Sequence, residues 1–231
     1  MADYIPDIRT SINWSENWLI VVFLIQLLIL AWLSYNYPRK VRRPFLILFN
    51  REIEKQEFSE RFSWTSTFSL AFMSVFFISV AWFVYIVMQS MGLAQFKGTD
   101  GVLFFLLLLL GLILLYLLKL LLLNITGELC TGDYAISLYS YSMGQYYQVT
   151  GLFLFPIAAL MTFVPGIPLD LWLGIGVGIY ALFYLLRLLR GVINSYEAEA
   201  QPFYLILYLC TFEFLPIVLA VNYFFSWFSV G

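Results

Sequence analysis

The chain has 231 residues, 62% hydrophobic and only 11% charged, with a net charge of −2 and no histidine. Mean hydropathy is +0.89, whereas a soluble domain of this size carries about 25% charged residues to wet its surface, so a water-soluble globule is excluded. Without histidine, zinc-dependent intramembrane proteolysis, imidazole-bound haem and His-based triads are excluded too.

Residues 1–17 are acidic and polar, and no small-residue cleavage site follows the first apolar run, which is therefore expected to remain as a helix. Apolar runs of about 18 residues or more cross ~30 Å of hydrocarbon as helices, and six are predicted. The first is Trp18–Tyr35, followed by Tyr37-Pro38 and the cluster Arg39, Lys40, Arg42 and Arg43. Over 44–62, Phe45, Phe49 and Ile53 recur at four-residue spacing among Arg51, Glu52, Glu54 and Lys55. That stretch is too charged to span and predicts an interfacial amphipathic helix, aromatics down and charges up.

The second span is predicted over 64–88 and the third over 102–123, the latter nearly pure leucine with Lys119 as its one charge. Asn124–Gln148 reads as a linker rich in Gly, Ser and Tyr, with Tyr134, Tyr139, Tyr141, Tyr146 and Tyr147 suited to a membrane interface. The fourth span, 147–164, holds Pro156. The fifth, 171–189, holds Gly174, Gly176 and Gly178 and ends near Arg187 and Arg190; the sixth runs over 203–225. The fold class is all-α: one polytopic membrane domain over 1–231, six transmembrane helices as three hairpins, plus the interfacial helix.

Orientation follows from the excess of cations on the cytoplasmic side. With both termini outside the cytoplasm, the inner side holds Arg39, Lys40, Arg42, Arg43, Arg51, Lys55, Arg61, Arg187 and Arg190, with Lys119 near it. The outer side holds only Arg9 and Lys97. Two hairpins also match in pattern, read either as a parallel repeat or as the chance likeness of leucine-rich helices with snorkelling cations at their inner ends. Tyr116-Leu-Leu-Lys119-Leu-Leu and Tyr184-Leu-Leu-Arg187-Leu-Leu end the third and fifth spans, and Phe155-Pro156-Ile157 and Leu215-Pro216-Ile217 mark the fourth and sixth. Parallel repeats of this kind occur in transporters.

Few residues can carry chemistry. Glu213 lies ten residues into the sixth span, ~15 Å along it, where an ionised carboxylate is costly and must be paired, wetted or protonated. It is read first as an interhelical hydrogen-bonding group and second as a proton- or cation-linked site. Lys119, near the inner interface, is explained by snorkelling. Arg187 and Arg190, three apart on one helix, are candidates to grip an anionic lipid headgroup or the linker acids Glu197 and Glu199. Glu128 and Asp133 are the other acids near the membrane on that side. Gly174 and Gly178, four apart, predict close helix contact. No phosphate loop, HExxH or Gly-x-Ser-x-Gly occurs. Cys130 and Cys210 read as small apolar filler. No catalytic residue, metal or cofactor is expected.

A spanning helix ending in Lys119, then Gly127, a Tyr-rich linker, Gly151 and Pro156, together with the closing run Tyr208-Leu-Cys-Thr-Phe-Glu213-Phe-Leu-Pro216, resembles an uncharacterised inner-membrane family of Bacteroidota, domain of unknown function 4271. The resemblance covers most of the chain beyond the first helix. It implies a bacterial inner-membrane location and about this helix count, and brings no activity. The expected function is that of a non-catalytic inner-membrane subunit or scaffold, packing against other membrane proteins in envelope biogenesis or protein export. The alternative is a small transporter or lipid-handling protein. Expected partners are the lipid bilayer and other inner-membrane proteins, with no nucleic acid.

Overall fold

A computed structural model describes residues 18–50, 67–90, 101–129, 133–164 and 168–197. Among these all regular structure is helical: α1 (Trp18–Asn36), α2 (Pro38–Phe49), α3 (Thr67–Ser90), α4 (Gly101–Leu129), α5 (Asp133–Phe163) and α6 (Leu169–Glu197). All but α2 are long and apolar enough to cross a bilayer. In hydrocarbon no water can satisfy a bare peptide group, so even segments dense in β-branched and aromatic residues, such as α3, must close their hydrogen bonds internally as helices. The chain is thus a multi-pass helical membrane protein. The expected sixth span, 203–225, and residues 51–62 of the expected interfacial helix lie outside the described residues.

The bundle is built around α3 and α5, which share its most extensive interface. They run parallel, since contacts climb both helices together: Gln148 with Ser69, Gly151 with Phe76, Phe155 with Trp82. In each of these two helices 61% of the membrane-length window is buried, against 17% in α1, 6% in α4 and 11% in α6. The outer three run antiparallel to the central pair. The strongest pairing therefore crosses the expected hairpins instead of lying within them, because α3 and α5 carry the aromatic and polar side chains that need protein contact, while leucine-rich α4 loses nothing by facing lipid.

α1 buries only a narrow seam, Leu19, Gln26 and Leu33, with Phe23 and Leu30 between them. Seven-residue spacing of this kind keeps one stripe against a partner helix. At the end opposite the arginine cluster, Trp18 meets Tyr85 edge-on at 5.2 Å and Phe105 at 5.2 Å. At the arginine end, Leu33, Phe68 and Phe72 form a second cluster capped by Tyr37, and Lys40 Nζ lies 5.3 Å from the Tyr37 ring centre.

Three expected boundaries move. The amphipathic helix begins at Pro38, not near residue 44, because proline at a first helical position costs no hydrogen bond. Arg39, Lys40, Arg42 and Arg43 are then exposed along it. Its apolar side packs on protein: Ile47 is buried, and the Phe45 ring stands edge-on to Phe153 of α5. The second change is that α4 continues past the expected end of its span, to Leu129. The third is the largest. Most of the expected linker 124–148 is helix, and α5 already starts at Asp133. Tyr139, Tyr141 and Tyr146 are buried inside the bundle.

The glycines of α6 also sort differently. Gly174 and Gly178 have nothing within 4 Å of a Cβ, whereas Gly176, between them, lies against the Phe83 ring of α3. A built Cβ at Gly191 falls 2.6 Å from Tyr139 Cε2. Close approach runs through Gly176 and Gly191, fifteen residues apart on the face turned to the central pair.

Candidate functional site

Polar side chains in the bundle interior form a seam along the central helices. Gln26, the one strongly polar residue within the first apolar run, is fully buried. Its Nε2 donates to the Val75 carbonyl at 3.0 Å and to Ser79 Oγ at 2.5 Å. The Val75 carbonyl already serves the α3 ladder and uses its second lone pair here. Toward the arginine end, Gln148 Nε2 of α5 donates to Ser69 Oγ of α3 at 3.4 Å. Ser142, Gln145 and Thr150 of α5 are buried as well, and Thr150 Oγ1 donates to the Tyr146 carbonyl one turn back, at 2.7 Å.

The charged centre of the seam is Arg187. Position 187 lies within the bilayer-length part of α6, yet its side chain is only 2% exposed. The guanidinium carbon sits 5.0 Å from the Tyr147 ring centre and 4.8 Å from that of Tyr184. Two aromatic faces thus flank one planar cation, a geometry worth about 0.5–2 kcal/mol per face. Tyr184 precedes Arg187 by three residues, so the stack within α6 follows from helical periodicity. Tyr147 arrives from α5 and is itself fixed by Phe76 at 4.7 Å and by Tyr116 of α4 at 5.9 Å. Beside the guanidinium is a recess with room for about one water molecule (≈ 10 Å³), lined by Tyr146, Tyr147, Thr150, Tyr180, Phe183, Tyr184 and Arg187.

The two arginines paired in the sequence have different surroundings. Arg187 faces the interior. Arg190 is half-buried, and its Nη2 donates to the Leu48 carbonyl of α2 at 2.6 Å, tying the surface helix to α6. Lys119 is half-buried on α4. Glu128 and Asp133 sit at the facing ends of α4 and α5, far from Arg187: Asp133 is fourteen residues before Tyr147, ~21 Å along the helix. Glu213, Cys130 and Cys210 lie outside the described residues.

Sequence reasoning missed Gln26, Gln145 and Gln148. A lone glutamine amid fifteen or more apolar residues was the available signal for Gln26. For the other two, the polar composition of 133–148 hid a helix whose polar groups point inward. Chemically, the arrangement fixes helices to one another and holds one cation next to a water-sized recess.

Comparison with curated proteins and with solved structures gives no significant match. A family model, Domain of unknown function (DUF4271), matches residues 19–224, close to the whole chain, and the chain belongs to that family.

Proposed function

We propose that the protein is a non-catalytic integral subunit or scaffold of a bacterial inner membrane, with both termini on the periplasmic side, acting by packing against other membrane proteins in envelope biogenesis or protein export. The observation that carries this reading is the use made of the interior polar groups. Gln26, Ser79, Gln148 and Ser69 join helix to helix, as expected of a bundle held in one arrangement. The outer faces of α4 and α6 remain broadly apolar, with Leu106, Leu107, Leu110, Leu114, Leu182 and Leu185 all more than half exposed, a surface that suits lipid or another spanning helix.

Extraction of a tagged chain in a gentle detergent, followed by identification of what accompanies it, tests the proposal. A stoichiometric membrane-protein partner supports it. A chain that comes out alone with tightly held lipid supports the second reading, a small transporter or lipid-handling protein, which draws on the buried Arg187 and its recess.

A further inference from the structure

The cations of α2 are placed by the fold. α1 (Trp18–Asn36) is 19 residues long, ~28 Å as a helix, so its last turn reaches the edge of the hydrocarbon. Tyr37, with φ −133° and ψ 51°, breaks the helix, and Pro38 starts α2 at once. Arg39, Lys40, Arg42 and Arg43 thus fall at the level of the lipid headgroups. α2 is also held there. Val41 packs with Leu33 and Phe68, and Phe45 stands edge-on to Phe153 of α5. Ile47 is buried, and the Leu48 carbonyl accepts from Arg190 of α6 at 2.6 Å.

With one side of α2 committed to protein, the direction of its other side is fixed. At about 100° per residue, Arg39, Arg42 and Leu46 fall within a stripe about 60° wide. All three are exposed, Leu46 at 53%. At a spacing of three residues the two arginine Cβ atoms are ~5–6 Å apart, close enough for both guanidinium forks to meet one phosphate group. Leu46 lies ~10 Å beyond Arg39 along the helix, an apolar residue with no use on a face that binds a soluble polyanion, but one that an acyl chain covers. Lys40 is turned off this stripe, its Nζ 5.3 Å from the Tyr37 ring centre. α1 and α2 contain no acidic residue, so the stripe complements an anion. The arginines first read as headgroup ligands are engaged elsewhere, Arg187 between tyrosine rings and Arg190 on Leu48.

We infer that Arg39, Arg42 and Leu46 form a site for one anionic phospholipid of the leaflet at this end of α1, with the arginines on its phosphate and Leu46 against an acyl chain. The occupant is a lipid and not a nucleic acid or an acidic peptide for two reasons. The stripe starts three residues after a spanning helix, and it sets its cations beside an exposed apolar side chain, the composition of an interfacial anchor. A phosphatidylglycerol headgroup has the right charge, whereas in phosphatidylcholine the quaternary ammonium cancels the phosphate. The inference is independent of the scaffold reading, since neither a protein partner nor transport enters it.

Two measurements on the full chain test it. In the first, protein purified in a mild detergent is titrated with dioleoyl phosphatidylglycerol or dioleoyl phosphatidylcholine, and retained lipid is counted by native mass spectrometry. One phosphatidylglycerol should be held in preference to phosphatidylcholine. Arg39→Gln combined with Arg42→Gln should weaken its retention by about tenfold or more, and Lys40→Gln should cost less than Arg39→Gln alone. No preference for phosphatidylglycerol, a preference untouched by the arginine pair, or an equal loss from Lys40→Gln overturns the site. So does displacement of the lipid by inorganic phosphate at matching concentration, which makes the ligand a soluble phosphate. In the second measurement the arginines stay native. A bimane label is placed on Tyr35→Cys, 86% exposed and four residues before Arg39, or on Val177→Cys of α6, 56% exposed, with Cys130 and Cys210 replaced by serine. The vesicles are phosphatidylcholine with a minor share of one nitroxide-labelled lipid. Labelled phosphatidylglycerol should quench at Tyr35 about twofold or more above labelled phosphatidylcholine, and the two should quench equally at Val177. Equal quenching by the two lipids at Tyr35 overturns the inference, whether or not the arginine variants fold.

Discussion

Gly151 of α5 lies directly against the backbone of Phe76 of α3: a Cβ placed on the glycine would fall 2.8 Å from Phe76 Cβ and 2.9 Å from its backbone nitrogen. The neighbour is main chain and cannot swing away, so the two helices must separate to admit even one methyl group. Gly151→Ala should therefore destabilise the bundle by about 1–3 kcal/mol, the usual cost of overpacking. Gly111→Ala, at a site with nothing within 4 Å, should be neutral or slightly stabilising through helix propensity. Thermal unfolding in a mild detergent separates the two. Equal melting temperatures would contradict the α3–α5 contact.

Gln26 should act as a cross-tie between α1 and α3. Gln26→Leu keeps the volume nearly constant and removes the bonds to Val75 and Ser79. The expected loss is ~0.6–2 kcal/mol, the range for such bonds in membranes. Ser79→Ala should lose less, and the double change should lose less than the sum, because both remove one shared bond. Denaturant titration of the purified chain supplies the three numbers.

Arg190 should hold α2 on the bundle. Its bond to the Leu48 carbonyl involves a charged donor, worth about 1.5–3 kcal/mol. Arg190→Gln should raise the maleimide labelling rate of a cysteine at buried Ile47 by about tenfold or more, in a background lacking Cys130 and Cys210. An unchanged rate would mean that Ile47 and Phe45 hold α2 without it.

The charge distribution makes a topological prediction. A reporter inserted among residues 198–202 should read as cytoplasmic, and one fused after Gly231 as periplasmic, as the clustering of cations on one side requires. The same compartment for both would remove the sixth span.

The first, second, third and fifth spans were legible in the sequence because long, predominantly apolar stretches with at most one charge leave the backbone in lipid no alternative to a helix. The start of the fourth was not. A hydropathy average treats Gln145, Gln148 and the tyrosines as water-seeking, whereas in the bundle they meet Ser69, Phe76 and Tyr116, and only tertiary packing supplies those partners. The pairing of α3 with α5 was equally hidden, since leucine-rich sequences do not encode which helix is the neighbour. Arg187 read as a surface group through its nearness to Arg190. The tyrosine three residues before it was the local hint of a stacked, interior cation, and Tyr147 could not be foreseen.

The parallel pairing of α3 with α5 imposes an order on how the chain can be made. When α3 leaves the ribosome its main partner has not been synthesised, and α4 must be threaded in the opposite direction before α5 appears. α3, with a mean hydropathy of 2.4 over its window, can wait alone in lipid, but α5 has the lowest value of the five, 1.4. Its insertion is thus expected to depend on a helix already in the bilayer with Ser69 and Ser79 facing it or its neighbour α1. A truncated chain lacking α3 should fail to insert α5, although every residue of α5 is intact.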